Sequence, residues 1–291
     1  MYKGVFIYPR HSAFDKDNAF DWLKEEAALC GLSLEICFEE DCCIEYSSHG
    51  ESISFAGKPM DDVDFVLLRV YNERISRYYE NKHDVLVVNK SASMRLSKDK
   101  LLCHQALRRS CVPSPDTIYA PEAKYPEIVN RLGVSRFLVK KNDGSRGEGI
   151  YMVNNEYELA ESLIQLGDNC IFQKPVVESL GRDVRVWVIG EKCVGAVLRY
   201  SETSFKSNYS QGGKCKLFEL DPQIEDMARR ATCAVGLDFA GVDILFSSAG
   251  YTVCEVNGNA GFRTISAVSD INVPAELFRY ISKKIVDQIS Y

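Results

Sequence analysis

AGVDILFSSAGYTVCEVNGN, residues 240–259, has the pattern of two short β-strands joined by a Ser-Ser-Ala-Gly turn. Asp243 interrupts an otherwise apolar first strand. Glu255 and Asn257 lie two residues apart on the second strand, so their side chains point to one face. Two carboxylates and an amide oxygen suit Mg²⁺, which keeps some water ligands and bridges to phosphate oxygens. The alternative is an exposed hairpin whose polar residues face water, and the preceding sequence bears on that choice.

A glycine-rich segment, NDGSRGEG at residues 142–149, follows an apolar strand that ends in Lys140 and Lys141. Its glycines allow backbone N–H groups to converge on phosphate oxygens without steric strain. The two common nucleotide signatures, Gly-x-x-x-x-Gly-Lys-Ser/Thr and a Gly-x-Gly-x-x-Gly that opens a helix, do not describe it. Lys140 would add a point charge for the phosphates of a nucleotide. A plain β-hairpin with a flexible tip is the alternative.

Further charged residues precede and follow this loop. Lys100 is predicted to lie in the first turn of a helix over residues 99–109, where the helix dipole does not favour a cation, which indicates an anion nearby. A solvated lysine is the alternative. Residues 181–200 predict a long antiparallel hairpin with Asp183, Arg185 and Arg199 on one face, an arrangement that cross-strand ion pairing alone could also explain. The polar loop over residues 201–215 is a candidate functional loop, with disorder as its alternative.

The N-terminal part alternates strands and helices. Apolar strands are predicted at residues 3–8, 32–38, 64–68 and 85–88, with an amphipathic helix over residues 18–29, and this alternation indicates an open α/β domain. Arg69 follows the third strand at its carboxyl end, where open sheets place ligands, although a surface arginine is equally compatible. Residues 89–97 are predicted to be a polar connector that ends this domain.

Composition excludes several classes of protein. At 291 residues the chain can bury a large core, and its net charge of −6 is spread along the sequence, so we expect no nucleic-acid or anionic-membrane partner. The eleven cysteines lack metal-ligand spacing, so we expect most of them to be reduced core residues. The sequence contains no signal-peptide pattern and no apolar segment long enough for a membrane span, which predicts a soluble cytoplasmic protein.

Taken together, these motifs resemble the ATP-grasp superfamily and, within it, the RimK-like carboxylate–amine ligases. The resemblance covers roughly residue 89 to the C-terminus. The motifs come in the family's order: Asp99-Lys100, the strand-end Lys140, KNDGSRGEGI, the Gln173 linker, GRDVRV, FKSN, AGVDIL and EVN. One departure is that the family's Asn-x-x-Pro-Gly becomes Asn257-Gly258-Asn259-Ala260-Gly261 followed by Phe262-Arg263, and another is Lys206 where the family often has arginine.

The resemblance implies a role for each matching residue. ATP would contact Lys100, Lys140, Ser145, Arg146, Gly147, Gly149, Gln173, Lys174, Pro175, Val176, Asp183, Lys206 and Asn208. Within this set Lys174 and Pro175 would contact adenine, mostly through their backbone, and Asp183 would contact the ribose. Asp243, Glu255 and Asn257 would bind Mg²⁺, with two ions expected and Mn²⁺ as a substitute. Arg185 and Arg199 are the candidate catalytic residues, and Arg69, Arg199 and Arg263 are candidates for gripping substrate carboxylates.

The implied fold is an ATP-grasp fold of mixed α/β (α+β) class. An N-terminal α/β domain (residues 1–97) would precede two α+β subdomains (98–172 and 173–291) that clamp ATP. The implied activity is ATP-dependent ligation of a carboxylate, from an amino acid or peptide, to an amine through an acyl phosphate. A polyol or inositol-type kinase on the same scaffold, or a non-catalytic ATP-binding module, are the alternatives. Homo-oligomer formation is left open.

Overall fold

The computed structural model describes most of the chain, in the ranges 1–12, 17–48, 50–144, 147–205 and 213–289. These residues form two compact units. The first unit comprises residues 1–94, residues 237–239 and the C-terminal segment that starts at Asn272. The second comprises residues 95–236 and 240–271. Within the described ranges, no helix is both long enough and apolar enough to cross a membrane.

The first unit is built on a parallel sheet. Its elements up to residue 88 are β1 (Tyr2–Tyr8), α1 (Asp17–Leu29), β2 (Leu32–Phe38), β3 (Cys42–Ser47), β4 (Gly50–Phe55), β5 (Lys58–Pro59), β6 (Phe65–Leu68), α2 (Glu73–Glu80) and β7 (Leu86–Val88). Strands β2, β1, β6 and β7 pair in this order, all parallel, and β3, β4 and β5 form a small antiparallel sheet. The open α/β alternation predicted from the sequence is therefore confirmed.

Tight contacts hold this unit together. The alternating apolar residues of β1 and β6, such as Val5 and Val66, are fully buried in one hydrophobic core. Gly4 packs against the ring of Phe65 so closely that a Cβ would lie 2.0 Å from its Cζ, which only glycine allows. The buried Asn89 side chain accepts from the backbone N–H of residues 238 and 239 and donates to the Phe239 carbonyl, which fixes segment 237–239 in the unit.

The remaining elements belong mainly to the second unit. They are α3 (Ser91–Lys98), α4 (Lys100–Arg109), β8 (Thr117–Ile118), α5 (Tyr125–Leu132), β9 (Phe137–Lys141), β10 (Ile150–Val153), α6 (Glu156–Leu166), β11 (Cys170–Gln173), β12 (Arg182–Ile189), β13 (Lys192–Tyr200), β14 (Lys214–Leu217), α7 (Pro222–Val235), β15 (Phe239–Ser247), β16 (Gly250–Asn257), α8 (Arg263–Ser266) and α9 (Val273–Ile289). Helix α9 is part of the first unit, where it packs against α1.

Two sheets form the second unit, and the pairs β9–β10, β9–β11, β8–β11, β12–β13, β13–β14 and β15–β16 in them are antiparallel. Strands β10, β9, β11 and β8 make the smaller sheet, and α5 and α6 cover one of its faces with a core that includes Phe137 and Phe172. Strands β14, β13, β12, β15 and β16 make the larger sheet. Helix α7 packs on it: Asp221 caps its N-terminus, Pro222 occupies the first turn, and Gly236 ends the helix with φ of 74°.

The structure corrects one prediction and adds helices that were not predicted. Residues 89–97 were predicted to be a polar connector, which is wrong, because residues 91–98 form helix α3. The buried positions of this helix are Ser91, Met94 and Ser97. Because two of the three are serine, the sequence lacks the apolar period that would predict a helix. Helix α6 was not predicted, although Asn155 caps it by accepting from the Glu158 N–H.

Candidate active site

The strand pair β15–β16 brings the predicted metal ligands together. Asp243 lies directly opposite Glu255 in the antiparallel register, and Asn257 lies opposite Gly241. Directly opposed residues share a face of the sheet, so both carboxylates and the amide are on one side. A β-bulge after Asp243 shifts the register there. Gly241 allows the chain after β16 to approach, because a Cβ at this position would lie 2.5 Å from that of Ala260.

Two arginines surround the Asp243 carboxylate. Arg185 on β12 donates from Nε and Nη2 to the two carboxylate oxygens at 2.6 and 2.7 Å. Arg199 on β13 contacts the same carboxylate at 2.8 Å and also holds Asp183 through two hydrogen bonds. The predicted alignment of Asp183, Arg185 and Arg199 on one face is therefore observed, and these residues are ion-paired to one another. We call Asp183, Arg185, Arg199 and Asp243 the charge cluster.

Burial and charge oppose each other within the charge cluster. Burial by itself raises the pKa of Asp243, but the charges of Arg185 and Arg199 outweigh it, so its pKa lies below the usual value. For Arg199, burial disfavours the charge, and the carboxylates of Asp243 and Asp183 more than compensate, so its pKa is raised. Two carboxylates and two guanidinium groups balance in formal charge, which lets the cluster remain in a poorly hydrated site.

The donor set on β15 and β16 fits Mg²⁺ chemically. Among the described residues, no group of three or more His, Cys, Asp and Glu side chains is arranged to hold a metal ion. An ion bound by Asp243 and Glu255 would therefore depend on the Asn257 oxygen, on water and on phosphate oxygens, which is how Mg²⁺ commonly binds in nucleotide sites. The Asn257 Oδ1 already accepts from the Asn259 N–H at 2.8 Å, which holds its side chain in a turn.

Lys140 lies at the centre of a second polar network. Its ammonium is buried and donates to Gln173 Oε1 at 2.6 Å, and it lies 3.8 Å from Cys254 Sγ on β16. The Gln173 amide nitrogen in turn lies 2.9 Å from His104 Nε2 and donates to the Thr117 hydroxyl. Lys140 thus belongs to the small sheet but reaches the strand that carries Glu255.

The glycine-rich loop is tied to the start of helix α4. Asp99 caps this helix through the Leu102 N–H, and the Asn142 carboxamide oxygen accepts from the Leu101 N–H at 3.0 Å. The Lys100 ammonium donates to the Gly144 carbonyl. Lys100 is thus in the first helical turn as predicted, and there it holds the loop.

The loop itself is the turn of the β9–β10 hairpin. Gly147 and Gly149 have φ values of 75° and 65°, which residues with a Cβ adopt only with strain. A Cβ at Gly149 would also lie 3.0 Å from Leu166 Cδ2. Ser145 and Arg146, predicted to contact ATP, lie outside the described residues, as do Lys206 and Asn208.

The remaining predicted residues lie at separate places. Lys174, Pro175 and Val176 form a half-buried linker after β11, anchored by the hydrogen bond from the Lys174 N–H to the Asp116 carbonyl at 2.9 Å. Arg263 is exposed at the start of α8. Arg69 belongs to the first unit, where its guanidinium lies 5.6 Å from the Phe239 ring and burial lowers its pKa to about 10.

Sequence reasoning missed three residues of this site: His104, Asn142 and Cys254. His104 lies one helical turn after Lys100, so it faces the same direction, and that spacing could have indicated it. Asn142 was recognised only as part of the loop, and its capping of a distant helix has no local sequence signal. The position of Cys254 beside Lys140 depends on how two sheets pack, which periodicity does not reveal.

Comparison with known proteins identifies relatives. Residues 97–281 match the sequence model of the RimK-like ATP-grasp domain. A probable alpha-L-glutamate ligase of Maridesulfovibrio salexigens is 31% identical over 253 residues, which cover 83% of this chain and 84% of the relative. A protein of the same description from Legionella pneumophila is 30% identical over 275 residues, 90% of each chain.

Solved structures show the same fold. The ATP-grasp ligase PsnB, complexed with a minimal precursor, superimposes with a TM-score of 0.73 at 20% identity, covering 99% of both chains. The D-cycloserine synthetase DcsG has a TM-score of 0.71 at 15% identity, covering 97% of this chain and 99% of its own. The ATP-grasp fold that the sequence motifs implied is thereby confirmed.

Proposed function

Because the chain belongs to the RimK-like ATP-grasp family of ATP-dependent carboxylate–amine ligases, we propose that it joins an amino acid to the carboxylate of a second amino acid or a peptide. We further propose that L-glutamate is one of the two substrates, because the curated relatives cited above are described as alpha-L-glutamate ligases. The observation that carries the proposal is the β15–β16 face, where two carboxylates and an amide lie beside two arginines.

The proposed reaction has two steps. A substrate carboxylate oxygen attacks the γ-phosphorus of ATP, which forms an acyl phosphate and releases ADP. The amine nitrogen of the second substrate then attacks the carbonyl carbon, the C–O bond to phosphate breaks, and the nitrogen loses a proton. The first step is necessary because a free carboxylate is a poor electrophile. The protein therefore needs to position charges and does not need a nucleophile of its own.

For ATP we propose the residues that the family motifs indicate. Lys100 and Lys140 would neutralise phosphate charge, and the backbone of the loop at Gly147 and Gly149, with Ser145 and Arg146, would cover the phosphates. Gln173 would hold Lys140 in place through the observed hydrogen bond, and the linker residues Lys174, Pro175 and Val176 would meet adenine. Asp183 is assigned to the ribose, and Lys206 and Asn208 to the triphosphate.

For the metal we propose Asp243, Glu255 and Asn257 as ligands. Mg²⁺, in two ions or with Mn²⁺ in its place, would neutralise the charge that develops on the phosphate oxygens. Asp243 is fixed by its two arginines, so its oxygens are held on the shared face of β15 and β16. Glu255 is only partly buried, so it can take up a ligand without first leaving an ion pair of the charge cluster.

The arginines receive different proposed roles. The Arg185 side chain is 14% exposed and reaches the surface of the charge cluster, so we assign it to the transferring phosphoryl group. Arg199 is 3% exposed and holds both Asp183 and Asp243, so we assign it mainly to positioning those carboxylates. Arg69 and Arg263 remain our candidates for binding a substrate carboxylate, because a guanidinium can pair with it through two hydrogen bonds.

We also propose that the protein acts in the cytoplasm, where ATP is supplied and thiols stay reduced. All eleven cysteines belong to the described residues, and each is a free thiol. This agrees with a reducing compartment.

A coupled assay tests the proposed activity. Phosphate release is measured with Mg-ATP against pooled amino acids and dipeptides, with L-glutamate and D-glutamate as matched additions, and products are identified by mass spectrometry. We expect phosphate release that requires two substrates, with a product mass equal to their sum minus water. Hydroxylamine should divert the reaction to a hydroxamate. A phosphorylated product that hydroxylamine does not trap would instead indicate a kinase, and ATP turnover that no substrate stimulates would indicate a binding module.

A further inference from the structure

A groove of about 320 Å³ lies in the second unit, on the flank of α4. Its wall is formed by helix α4, by the segment that leads into β8 and by the end of α5. None of the residues assigned above to ATP or metal lines it. Its volume is in the range of small-ligand pockets.

His104 lines this groove and carries a buried hydrogen-bond donor. The Gln173 side chain has a fixed orientation, because its Oε1 accepts from Lys140, so its Nε2 is the atom that faces His104 Nε2 at 2.9 Å. An amide nitrogen only donates, so the ring Nε2 accepts and the neutral ring carries its proton on Nδ1. Burial and the charges of Lys140, Arg108 and Lys100 lower the pKa of His104 to about 3, which keeps the ring neutral. Among the described residues, Nδ1 has no hydrogen-bond partner.

Ser114 also lines the groove and carries a second buried polar atom without a partner among the described residues. Its side chain is 6% exposed, and within the described part of the chain its hydroxyl has no hydrogen-bond partner. Its carbonyl accepts from the Arg108 guanidinium at 2.7 Å, which also contacts Asp116 at 3.2 Å. Buried polar atoms are seldom left without a partner, because their desolvation is then uncompensated. Two of them belong to residues that line one groove, and a small movement of its wall would bring both into contact with a ligand bound there.

The charges around the groove define the ligand class. Arg108 and Arg131 are exposed where they line it, and Asp116 opposes one of the two positive charges. These three side chains together carry one net positive charge, and His104 and Ser114 add two uncharged hydrogen-bond donors. A carboxylate, with one charge and two acceptor oxygens, matches this set, whereas a doubly charged phosphate would need more cations.

We propose that this groove is a second binding site, specific for a small carboxylic acid, in which His104 Nδ1–H and the Ser114 hydroxyl donate to the carboxylate and Arg131 supplies its counter-charge. The His104–Gln173–Lys140 chain connects the site to the ammonium that we assign to ATP. A ligand that accepts from His104 would hold this chain in one arrangement, so carboxylate binding and nucleotide binding should affect each other's affinity equally. This coupling rests on the proposed role of Lys140, whereas the site itself does not.

Histidine NMR tests the site without nucleotide. The chain contains four histidines, so the ring ¹⁵N signals of His104 can be assigned from the spectrum of His104→Gln. Succinate is the probe, and acetamide, inorganic phosphate and buffer salt are the comparisons. We expect a saturable shift of the His104 Nδ1 signal with succinate, and at least about tenfold weaker binding in Ser114→Ala/Arg131→Gln. The control Arg136→Gln removes a neighbouring exposed arginine outside the groove and should bind succinate normally.

Other results would overturn the assignment. A His104 signal that does not respond to succinate, or responds alike to buffer salt, would mean that the groove is only a packing defect. Saturation by phosphate but not by succinate would refute the carboxylate class.

The coupling is tested separately by the Kd for ADP. We expect that saturating succinate changes this Kd in the wild type and in Arg136→Gln but not in Ser114→Ala/Arg131→Gln. An unchanged Kd in a protein whose His104 signal shifts would leave the site in place and refute the coupling.

Discussion

Asp243 is the residue on which the proposed chemistry and the stability of the second unit both depend. Its carboxylate compensates the buried Arg199 and the partly buried Arg185, and it also lies opposite Glu255 on the face proposed for the metal. Glu255 is outside the charge cluster, so the two carboxylates share a face but differ in environment. A substitution at each should therefore separate structural from functional effects.

We predict that Asp243→Asn loses both activity and stability, whereas Glu255→Gln loses only activity. Removing the Asp243 charge leaves the guanidinium groups of Arg185 and Arg199, one partly buried and one buried, without full compensation, so the free energy of unfolding should fall by about 3 kcal/mol. Urea unfolding measures this change, and phosphate release measures activity. Glu255→Gln should unfold like the wild type but lose at least about 100-fold in turnover, the scale of one lost charge-stabilising group. Substantial turnover in Glu255→Gln would contradict the metal assignment.

His104 predicts a pH dependence of stability. Its folded-state pKa is about 3, against 6.5 for an unperturbed histidine. Between these pH values the unfolded chain binds a proton at His104 that the folded chain does not. The contribution of His104 to the free energy of unfolding is therefore fully present above pH 6.5 and is lost progressively as the pH falls toward 3. Over this range the wild type should lose stability more steeply than His104→Gln, by at most about 1.4 kcal/mol per pH unit.

The measurement is urea unfolding at a series of pH values. The exposed His83 provides the control, because His83→Gln should keep the wild-type slope. Equal slopes for His104→Gln and the wild type would contradict a neutral buried ring.

At the element scale, the β9–β10 hairpin combines a backbone requirement with a proposed function. Gly149 has φ of 65° and close neighbours. Gly133 ends α5 with φ of 66°, and a Cβ added there would have no atom of the described residues within 4 Å. Replacing either glycine by alanine should cost about 1–2 kcal/mol of stability through strain of the left-handed conformation, and at Gly149 the contact with Leu166 adds to this cost. Comparing Gly149→Ala with Gly133→Ala therefore separates the effect of backbone strain from the effect of changing the proposed nucleotide-binding loop.

We predict that Gly149→Ala raises the KM for ATP by about tenfold, equivalent to about 1.4 kcal/mol of lost binding. Gly133→Ala should lose similar stability without this change in KM. Steady-state kinetics with varied ATP and thermal unfolding of both variants provide the two measurements. Equal KM values in the two variants would mean that the loop does not contact the nucleotide.

The elements differ in how well the sequence predicted them. Strands β15 and β16 were predicted nearly to the residue, because two apolar runs are separated there by a clear Ser-Ser-Ala-Gly turn. Helix α3 was missed because its buried face is made largely of serine, which gives no hydrophobic period. The predicted β12–β13 hairpin was correct. The ion pairs from this hairpin to Asp243 on β15 could not be predicted, because they depend on which strands are neighbours in the sheet and local sequence does not determine that order.

At the scale of the whole molecule, chain order and compact units do not coincide. The first unit includes the N-terminal sheet, three residues at 237–239 and helix α9 from the other end of the chain. Its packing inside the unit is extensive: Phe278 on α9 is fully buried, and α9 contacts both α1 and β7. The sequence-based boundary at residue 97 used a shift in composition, which cannot reveal that a distant helix joins the N-terminal sheet.

The two tryptophans make this organisation measurable. Trp22 is on α1 of the first unit, and Trp187 is buried on β12 of the second. Trp187→Phe leaves a reporter of the first unit, and Trp22→Phe leaves a reporter of the second. Fluorescence-detected urea unfolding in these two backgrounds then follows each unit by itself.

We predict that Phe278→Ala lowers the urea midpoint reported by Trp22 more than that reported by Trp187. Loss of a buried phenylalanine costs about 3–5 kcal/mol, and this cost should fall on the unit that α9 belongs to, although α9 is adjacent in sequence to the second unit. Ile224 on α7 is also fully buried, and Ile224→Ala should lower the urea midpoint reported by Trp187 more than that reported by Trp22. Equal shifts of both reporters in both variants would mean that the chain unfolds in one step. If Phe278→Ala mainly lowers the Trp22 midpoint and Ile224→Ala mainly lowers the Trp187 midpoint, the C-terminal helix stabilises the N-terminal sheet.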